Sequence, residues 1–507
     1  MVSKSRSGKE SLVQHGNELL RGSIRFFHVV LMVTAAAAPL VVASAYIPIS
    51  ISSGGGKATA FIYLATTVIL LVFTVGYAEM AKRITAAGAF YTYTTQGLGK
   101  SAGLGAGFSI LAAYSMIAPA ILGGFGFYAS QLLHQYLGIN LAWYWCSLIG
   151  LALHVVISYF RVTLTARILG VLLAVEVLVI LIVSVATVGQ GGAEGQDLGL
   201  LSPSSLGGAP AIGIGFFLAF WSWIGFETSA IYSEETADPK KSVPRATYIA
   251  VITLGVFYAL TAYAGLIGFG SKAEGEAASA TSNYFFLLAD RYTGHFIHVL
   301  MDILVVSSFF ACSFAFHNNA ARYLFSLGRD KILPSALGKT HRAHKSPYVA
   351  IGVQGAVAAI TIGLFAFGGA DPLLQLGTWL PIFCTLAVIV VQFLVSLAVI
   401  GYFGKVGRRS TADHLRTLVA PAIGALAQGV VVFLLWQNIS FLAGSDSLVV
   451  SLIPLYVGLI VAIGVGYSFW LRKYRRDRYE RIGMLREEED EGDEVAPVPL
   501  VEPETSS

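Results

Sequence analysis

The sequence predicts an all-α integral membrane protein with about twelve spanning helices. Three observations carry that prediction. Only 12% of the 507 residues are charged and 55% are hydrophobic, where soluble domains carry about 25% charged residues; the mean hydropathy is +0.70. Apolar runs recur along the whole chain at the length of about twenty residues that a crossing requires. Lys and Arg crowd into alternate loops, the asymmetry that orients a membrane chain.

The elements follow in order. A polar lead, residues 1–26, holds Lys4, Arg6, Lys9, Arg21 and Arg25, with no short apolar stretch ending at a small-residue cleavage site. A membrane domain over 27–471 then holds spans near 28–50, 59–80, 103–133, 141–160, 166–188, 209–232, 246–269, 293–321, 347–369, 373–402, 418–440 and 449–471. With the lead inside, the inner loops hold Lys82, Arg83 and Lys100; Arg161 and Arg167; Lys240, Lys241 and Arg245; Arg322, Arg329, Lys331, Lys339, Arg342 and Lys345; and Lys405, Arg408, Arg409 and Arg416. On the other side, 189–209 carries only Glu194 and Asp197. Both termini are therefore expected in the cytoplasm, with the chain in the plasma membrane. Residues 472–507 form a tail. Its basic half, from Arg472 to Arg481, suits anionic lipid headgroups; its acidic, Pro-containing end has the composition of a disordered segment.

Two spans are interrupted. The stretch 33–50, VTAAAAPLVVASAYIPIS, contains Pro39 and Pro48, and the sixth span contains Gly213, Gly215 and Gly225. Proline removes a backbone donor and glycine weakens a helix. A simple kink at Pro39 is one reading. Non-helical backbone at membrane depth otherwise survives only beside a cavity, and two broken spans five apart point to an inverted-repeat transporter with a midplane site.

Two carboxylates lie inside apolar spans. Glu227 follows Gly225 and Phe226, and Glu176 sits in LGVLLAVEVLVILIVSV with no cation three or four residues away. Such a group costs several kcal/mol in hydrocarbon, so each must face a cavity or a partner. Glu176 is placed to carry a proton at neutral pH; a hydrogen-bonded structural carboxylate is the alternative at both positions. His298 and Asp302 share a helix face, and His317, Asn318 and Asn319 can bond across helices.

The order Trp221, Gly225-Phe226-Glu227, Glu234-Glu235 and Asp238-Pro239-Lys240-Lys241-Ser242-Val243-Pro244-Arg245 resembles the sixth span and following loop of the amino acid–polyamine–organocation permeases. Gly76–Ala81 with Ala86–Tyr93, and Arg322–Asp330 with Leu333-Pro334, extend the resemblance over roughly 25–470. It implies a LeuT-type core in which spans 1–5 and 6–10 form a 5+5 inverted repeat with helices 1 and 6 broken, plus two extra helices.

It also implies a site at the breaks. The family's Gly-Ser-Gly-like triplet, which holds a substrate carboxylate on bare N–H groups, falls on Ala37-Ala38-Pro39. Ala37 and Ala38 keep N–H groups, but Pro39 has none. Either Leu40 and Val41 supply replacements, or the substrate is a decarboxylated amine. Trp221 falls at an aromatic gate, Gly225 and Phe226 at the pocket floor, and Glu227 at the substrate amine or in coupling; Tyr114 of span three lines the cavity. Glu176 falls where some members carry a lysine. It would carry a proton, or hold sodium with Ser307 or Ser308.

The implied function is a secondary transporter, symporter or exchanger, that moves an amino acid by alternating access. A polyamine or amine permease, and a potassium transporter on the same fold, are the alternatives. The expected partners are the small solute, a proton or sodium ion, and membrane lipid; the oligomeric state stays open. Gly54-Gly55-Gly56-Lys57-Ala58-Thr59 lacks the first glycine and the hydroxyl after lysine that a phosphate loop needs. Cys146, Cys312 and Cys384 lie far apart with no metal-ligand spacing, and no nucleophile stands beside a base. No cofactor, metal, nucleic acid or enzymatic activity is expected.

Overall fold

The structure, a computed structural model, describes residues 19–160, 162–408, 410–445 and 447–484, without the side chains of 162–169. The first part of the polar lead, the acidic end of the tail, Arg161, Arg409 and the Arg167 side chain lie outside the described residues.

This is a multi-pass membrane protein. Among the described residues, eleven helices are long and apolar enough to cross a bilayer, and Trp143–Tyr159 adds a shorter apolar one. In chain order the spans are Phe26–Gly54, Gly56–Ala81, Lys100–Leu137, Trp143–Tyr159, Val162–Gly189, Ile212–Ile231, Pro239–Phe269, His295–Arg329, Tyr348–Phe367, Pro372–Val406, Thr411–Leu442 and Ile453–Tyr474. A separate helix, Ala89–Leu98, precedes the third span and is set off by Gly99 at φ +99°. The third span packs against the eighth, tenth and twelfth, and the second against the seventh. The twelfth is the least enclosed, with 22% of its apolar window buried.

The eighth span outruns its expected end at 321. Hydropathy stops there, but the polar residues that follow face protein. Arg322 is buried and meets Glu235, so the helix continues to Arg329.

The first and sixth spans run antiparallel and meet at three levels. At the chain-end face Ile24 N–H donates to Glu235 O at 3.0 Å, and Ala237 N–H to Ile24 O at 2.8 Å. At the opposite face Ala211 N–H donates to Gly54 O at 2.8 Å. Between these, both spans break where proline and glycine sit. Helix Phe26–Ala37 ends at Ala38, which takes φ +45°, and Pro39 opens the next turn. Pro48 then deprives Ser44 O of its helical donor, and wide π turns at Val42–Tyr46 and Ser50–Gly54 absorb the irregularity. In the sixth span, helix Ile212–Trp223 gives way at Ile224 and resumes at Thr228.

The basic half of the tail is structured. The last span runs to Tyr474, a short helix covers Arg476–Glu480, and Ile482 is buried. Gly483 N–H donates to Tyr91 Oη at 2.7 Å, Gln96 Nε2 to Gly483 O at 2.9 Å, and Lys100 pairs with Glu480 at 2.7 Å. Composition assigns this basic half to lipid headgroups; the apolar Ile482 and these bonds also dock it on the protein as far as Gly483.

Candidate functional site

Breaking a helix frees backbone groups, and the two breaks treat theirs differently. Ala38 N–H turns back to Thr34 O at 3.1 Å and Ala35 O at 3.3 Å. It is therefore not a free donor, contrary to the expectation from sequence. Pro39 has none to give. The first-turn N–H groups of the helix it opens are those of Leu40 and Val41, for which a helix supplies no acceptor. The freed carbonyls are taken up by side chains. Cys312 Sγ donates to Ala36 O at 3.2 Å and Tyr258 Oη to Ala37 O at 2.7 Å.

The sixth-span break presses directly on the first. Gly225 has φ +114°, and a Cβ there would lie 2.6 Å from Ala36 Cβ and 3.2 Å from Phe316 Cζ. Glycine is required both for that backbone angle and for that contact.

A cavity opens beside this contact. Its walls include Ala37, Ala38, Val41 and Val42 of the first span, Trp221, Ser222 and Ile224 of the sixth, and Phe316 of the eighth. The cavity volume is about 20 Å³. That is room for about one water, so the cavity is small. Tyr46 is the one wall residue that is not buried; its ring meets Trp221 edge-on at 6.0 Å. No charged side chain lines the walls, and Ser222 Oγ is engaged by Tyr63 Oη at 3.0 Å and by Leu218 O at 2.7 Å.

The expected site residues divide into two groups. Ala37, Ala38 and Trp221 line the cavity, while Pro39, Leu40, Tyr114, Gly225, Phe226 and Glu227 do not. Pro39 and Leu40 flank the wall, and Gly225 is the contact just described. Phe226 is expected on the pocket floor but turns away, with Phe73 at 5.9 Å and Tyr77 at 6.3 Å. Glu227 is expected at the substrate amine or in coupling; its carboxylate is bonded away from the cavity. It accepts from Tyr114 Oη and from Gly225 N–H at 3.1 Å, while Tyr77 Oη donates to its backbone carbonyl at 3.3 Å. Tyr114 thus ties the third span to the sixth. Wall residues Tyr46, Cys312 and Phe316 escaped notice because an apolar or aromatic residue in an apolar span carries no local signal.

Glu176 is buried in the fifth span and Oε1 accepts from Ser307 Oγ at 3.1 Å. Its Oε2 and the Ser308 hydroxyl have no hydrogen-bond partner among the described residues. Ser308 and the wall residue Cys312 are four apart on one helix face, so this polar group lies one turn from the cavity. His317 has neither nitrogen bonded among the described residues. Asn318 Nδ2 reaches Ser158 Oγ at 3.0 Å, and Asn319 Nδ2 reaches Thr228 Oγ1 at 2.8 Å.

The cavity is sealed toward the chain-end face. Tyr77, Tyr93, Tyr323 and Phe226 are fully buried below it. Below them, the acidic exit of the sixth span pairs with the end of the eighth. Arg322 meets Glu235 at 2.8 and 3.2 Å, and its guanidinium stacks 3.8 Å over Tyr232. Arg329 holds Glu234 at 2.7 and 2.8 Å. Tyr91 Oη donates to Asp330 Oδ2 at 2.9 Å. Burial pushes the Asp330 carboxyl up to about 6 against the pull of the Arg329 guanidinium.

The sequence profile of the family described as Amino acid permease matches residues 24–462. The chain is 26% identical over 459 residues to the low-affinity putrescine importer PlaP of Escherichia coli (strain K12), covering 89% of this chain and 95% of the importer. It is 23% identical over 446 residues to the branched-chain amino acid permease BcaP of Bacillus subtilis (strain 168), covering 84% of this chain and 88% of that permease. A methylthioribose transporter of the same Bacillus strain is 22% identical over 342 residues, 64% of this chain and 72% of the relative.

Proposed function

This chain belongs to the amino acid permease family and is a transporter rather than an enzyme, and on that premise we propose that it moves a small amino acid with an apolar side chain by alternating access. The observation that carries this reading is the small, apolar cavity at the contact of the two broken spans. A zwitterion suits it. Its carboxylate would take the first-turn N–H groups of Leu40 and Val41, at the positive end of a half-helix. Its ammonium would take carbonyls released by the sixth-span break and the face of Trp221. Val41, Val42 and Phe316 would surround the side chain.

The putrescine importer among the relatives raises the amine alternative. A diamine would bring two ammonium groups against walls with no carboxylate, and unpaired buried charge is costly. Glu227 is already committed to Tyr114 and Gly225. The cavity therefore favours an amino acid over a diamine or a bare cation.

The working cycle we propose is rocking of two inverted five-helix repeats around a LeuT-type site. The Lys and Arg asymmetry supports cytoplasmic termini in a plasma membrane. We assign coupling to Glu176 as a proton carrier, because its Oε2 has no hydrogen-bond partner among the described residues and it stands one turn from the cavity. Sodium held by Glu176, Ser307 and Ser308 is the competing choice.

Uptake of labelled valine, leucine, alanine, putrescine and rubidium into liposomes carrying the purified protein tests the reading, with and without an inward proton or sodium gradient. Saturable uptake of an apolar amino acid, raised by the proton gradient and not displaced by putrescine, is expected. Putrescine uptake without amino acid uptake, or rubidium uptake alone, refutes it.

A further inference from the structure

On the face opposite the chain ends, the helix Tyr284–Tyr292 turns sharply into the eighth span. Thr293 and Gly294 both donate to Ala289 O at 2.8 Å, and Gly294 takes φ +97°. The turn carries Asp290 up to the first turn of the span, where His295 and His298 stand three residues apart on one face. Asp290 Oδ1 is 3.1 Å from His295 Nδ1, and Oδ2 is 2.6 Å from His298 Nδ1. One ligand atom from each of the three lies within 4.8 Å of the others.

A second observation concerns the far side of His298. Its Nε2 faces Asp302 Oδ2 at 3.8 Å, and that oxygen accepts from Tyr136 Oη of the third span at 3.1 Å. A carboxylate behind an imidazole is the arrangement that fixes the tautomer and ring angle of a metal-binding histidine. In this structure Nδ1, 2.6 Å from the Asp290 carboxylate, carries a proton that it donates to it; a metal ion would displace that proton, and the N–H left on Nε2 would face Asp302. The His298 side chain is 22% exposed, Asp290 34% and His295 79%, so the cluster is anchored at one end and open to solvent at the other.

We propose that Asp290, His295 and His298 form a binding site for a divalent transition-metal ion of the zinc class, with water in the fourth position and Asp302 as a positioning residue. Two imidazole nitrogens and one carboxylate oxygen suit zinc and its neighbours rather than calcium or magnesium, which take oxygen ligands. Metal–ligand bonds of about 2.0–2.1 Å in a tetrahedron require donors about 3.3 Å apart, so a small separation of the present hydrogen-bonded atoms admits the ion. The ion would clamp the loop helix to the eighth span. Asp290 stands on the other side of a turn from both histidines, so it is the fold that brings it within reach of the His295–His298 pair.

The test uses full-length protein, free of any polyhistidine tag, in lipid nanodiscs. Zinc binding is measured by calorimetry and cobalt binding by visible absorption, which reports tetrahedral coordination. Expected are one ion per chain and an intense cobalt band. H295A, whose side chain is too exposed to threaten folding, should weaken binding at least tenfold. The H295A/H298A pair should abolish it. D302N should weaken it by roughly 10- to 100-fold with stoichiometry unchanged. Wild-type binding no tighter than that of the H295A/H298A variant, or a cobalt spectrum that H295A leaves unaltered, overturns the proposal.

Discussion

Replacing Gly225 with alanine asks whether its contact with Ala36 holds the two broken spans together. Two costs add. A residue with a side chain at φ +114° enters a region disfavoured by about 1–3 kcal/mol. Its Cβ would also stand 2.6 Å from Ala36 Cβ, and relieving such overpacking typically costs about 1–3 kcal/mol. The sum is about 2–6 kcal/mol, a bias of roughly 30-fold to more than 10,000-fold against this state. Ala36→Gly in the same chain removes the steric share and leaves the backbone share, so the double variant should recover about 1–3 kcal/mol. The assay is the thermal transition of purified G225A, A36G and the double variant, with initial uptake rates in liposomes. Wild-type stability and uptake in G225A would refute the reasoning. A double variant no better than G225A would show that the Ala36 contact is not the steric cost.

Three further outcomes are expected. Tyr114→Phe removes a donor from the buried Glu227 carboxylate and should destabilise the protein by about 1–3 kcal/mol, read as a lower thermal midpoint; an unchanged midpoint would mean that the bond contributes nothing. Glu176→Gln should abolish accumulation driven by a proton gradient while substrate binding, measured by scintillation proximity, persists, and undiminished uphill uptake would remove Glu176 from coupling. Arg322→Ala leaves Glu235 buried without its guanidinium and should cost about 3–5 kcal/mol, whereas R322A/E235A should cost less; equal losses in the two variants would contradict the pairing.

The parts of this architecture legible in sequence are those with a backbone signature. Pro39 and Gly225 marked both breaks because one lacks a donor and the other tolerates a positive φ, and neither property depends on distant residues. The charged loops and apolar runs did the same for the spans. Side-chain direction inside the breaks was not legible. Phe226 and Glu227 lie where helical periodicity has stopped, so nothing local says that one turns to Phe73 and the other to Tyr114. Asp290 and the docked stretch around Ile482 were missed for a related reason. Each acquires its role from a turn or a partner surface that exists only once the chain is folded.

The two capped carbonyls at Ala36 and Ala37 bear on the electrostatics of the break in span one. Bare carbonyl dipoles in a nearly dry interior would demand a cation or a solute to neutralise them. Here a hydroxyl from Tyr258 and a thiol from Cys312 do so with groups that never leave the protein. The broken end of span one therefore needs no ion or solute to neutralise these two dipoles. Both donors come from spans seven and eight, so that end is tethered to the second half of the chain.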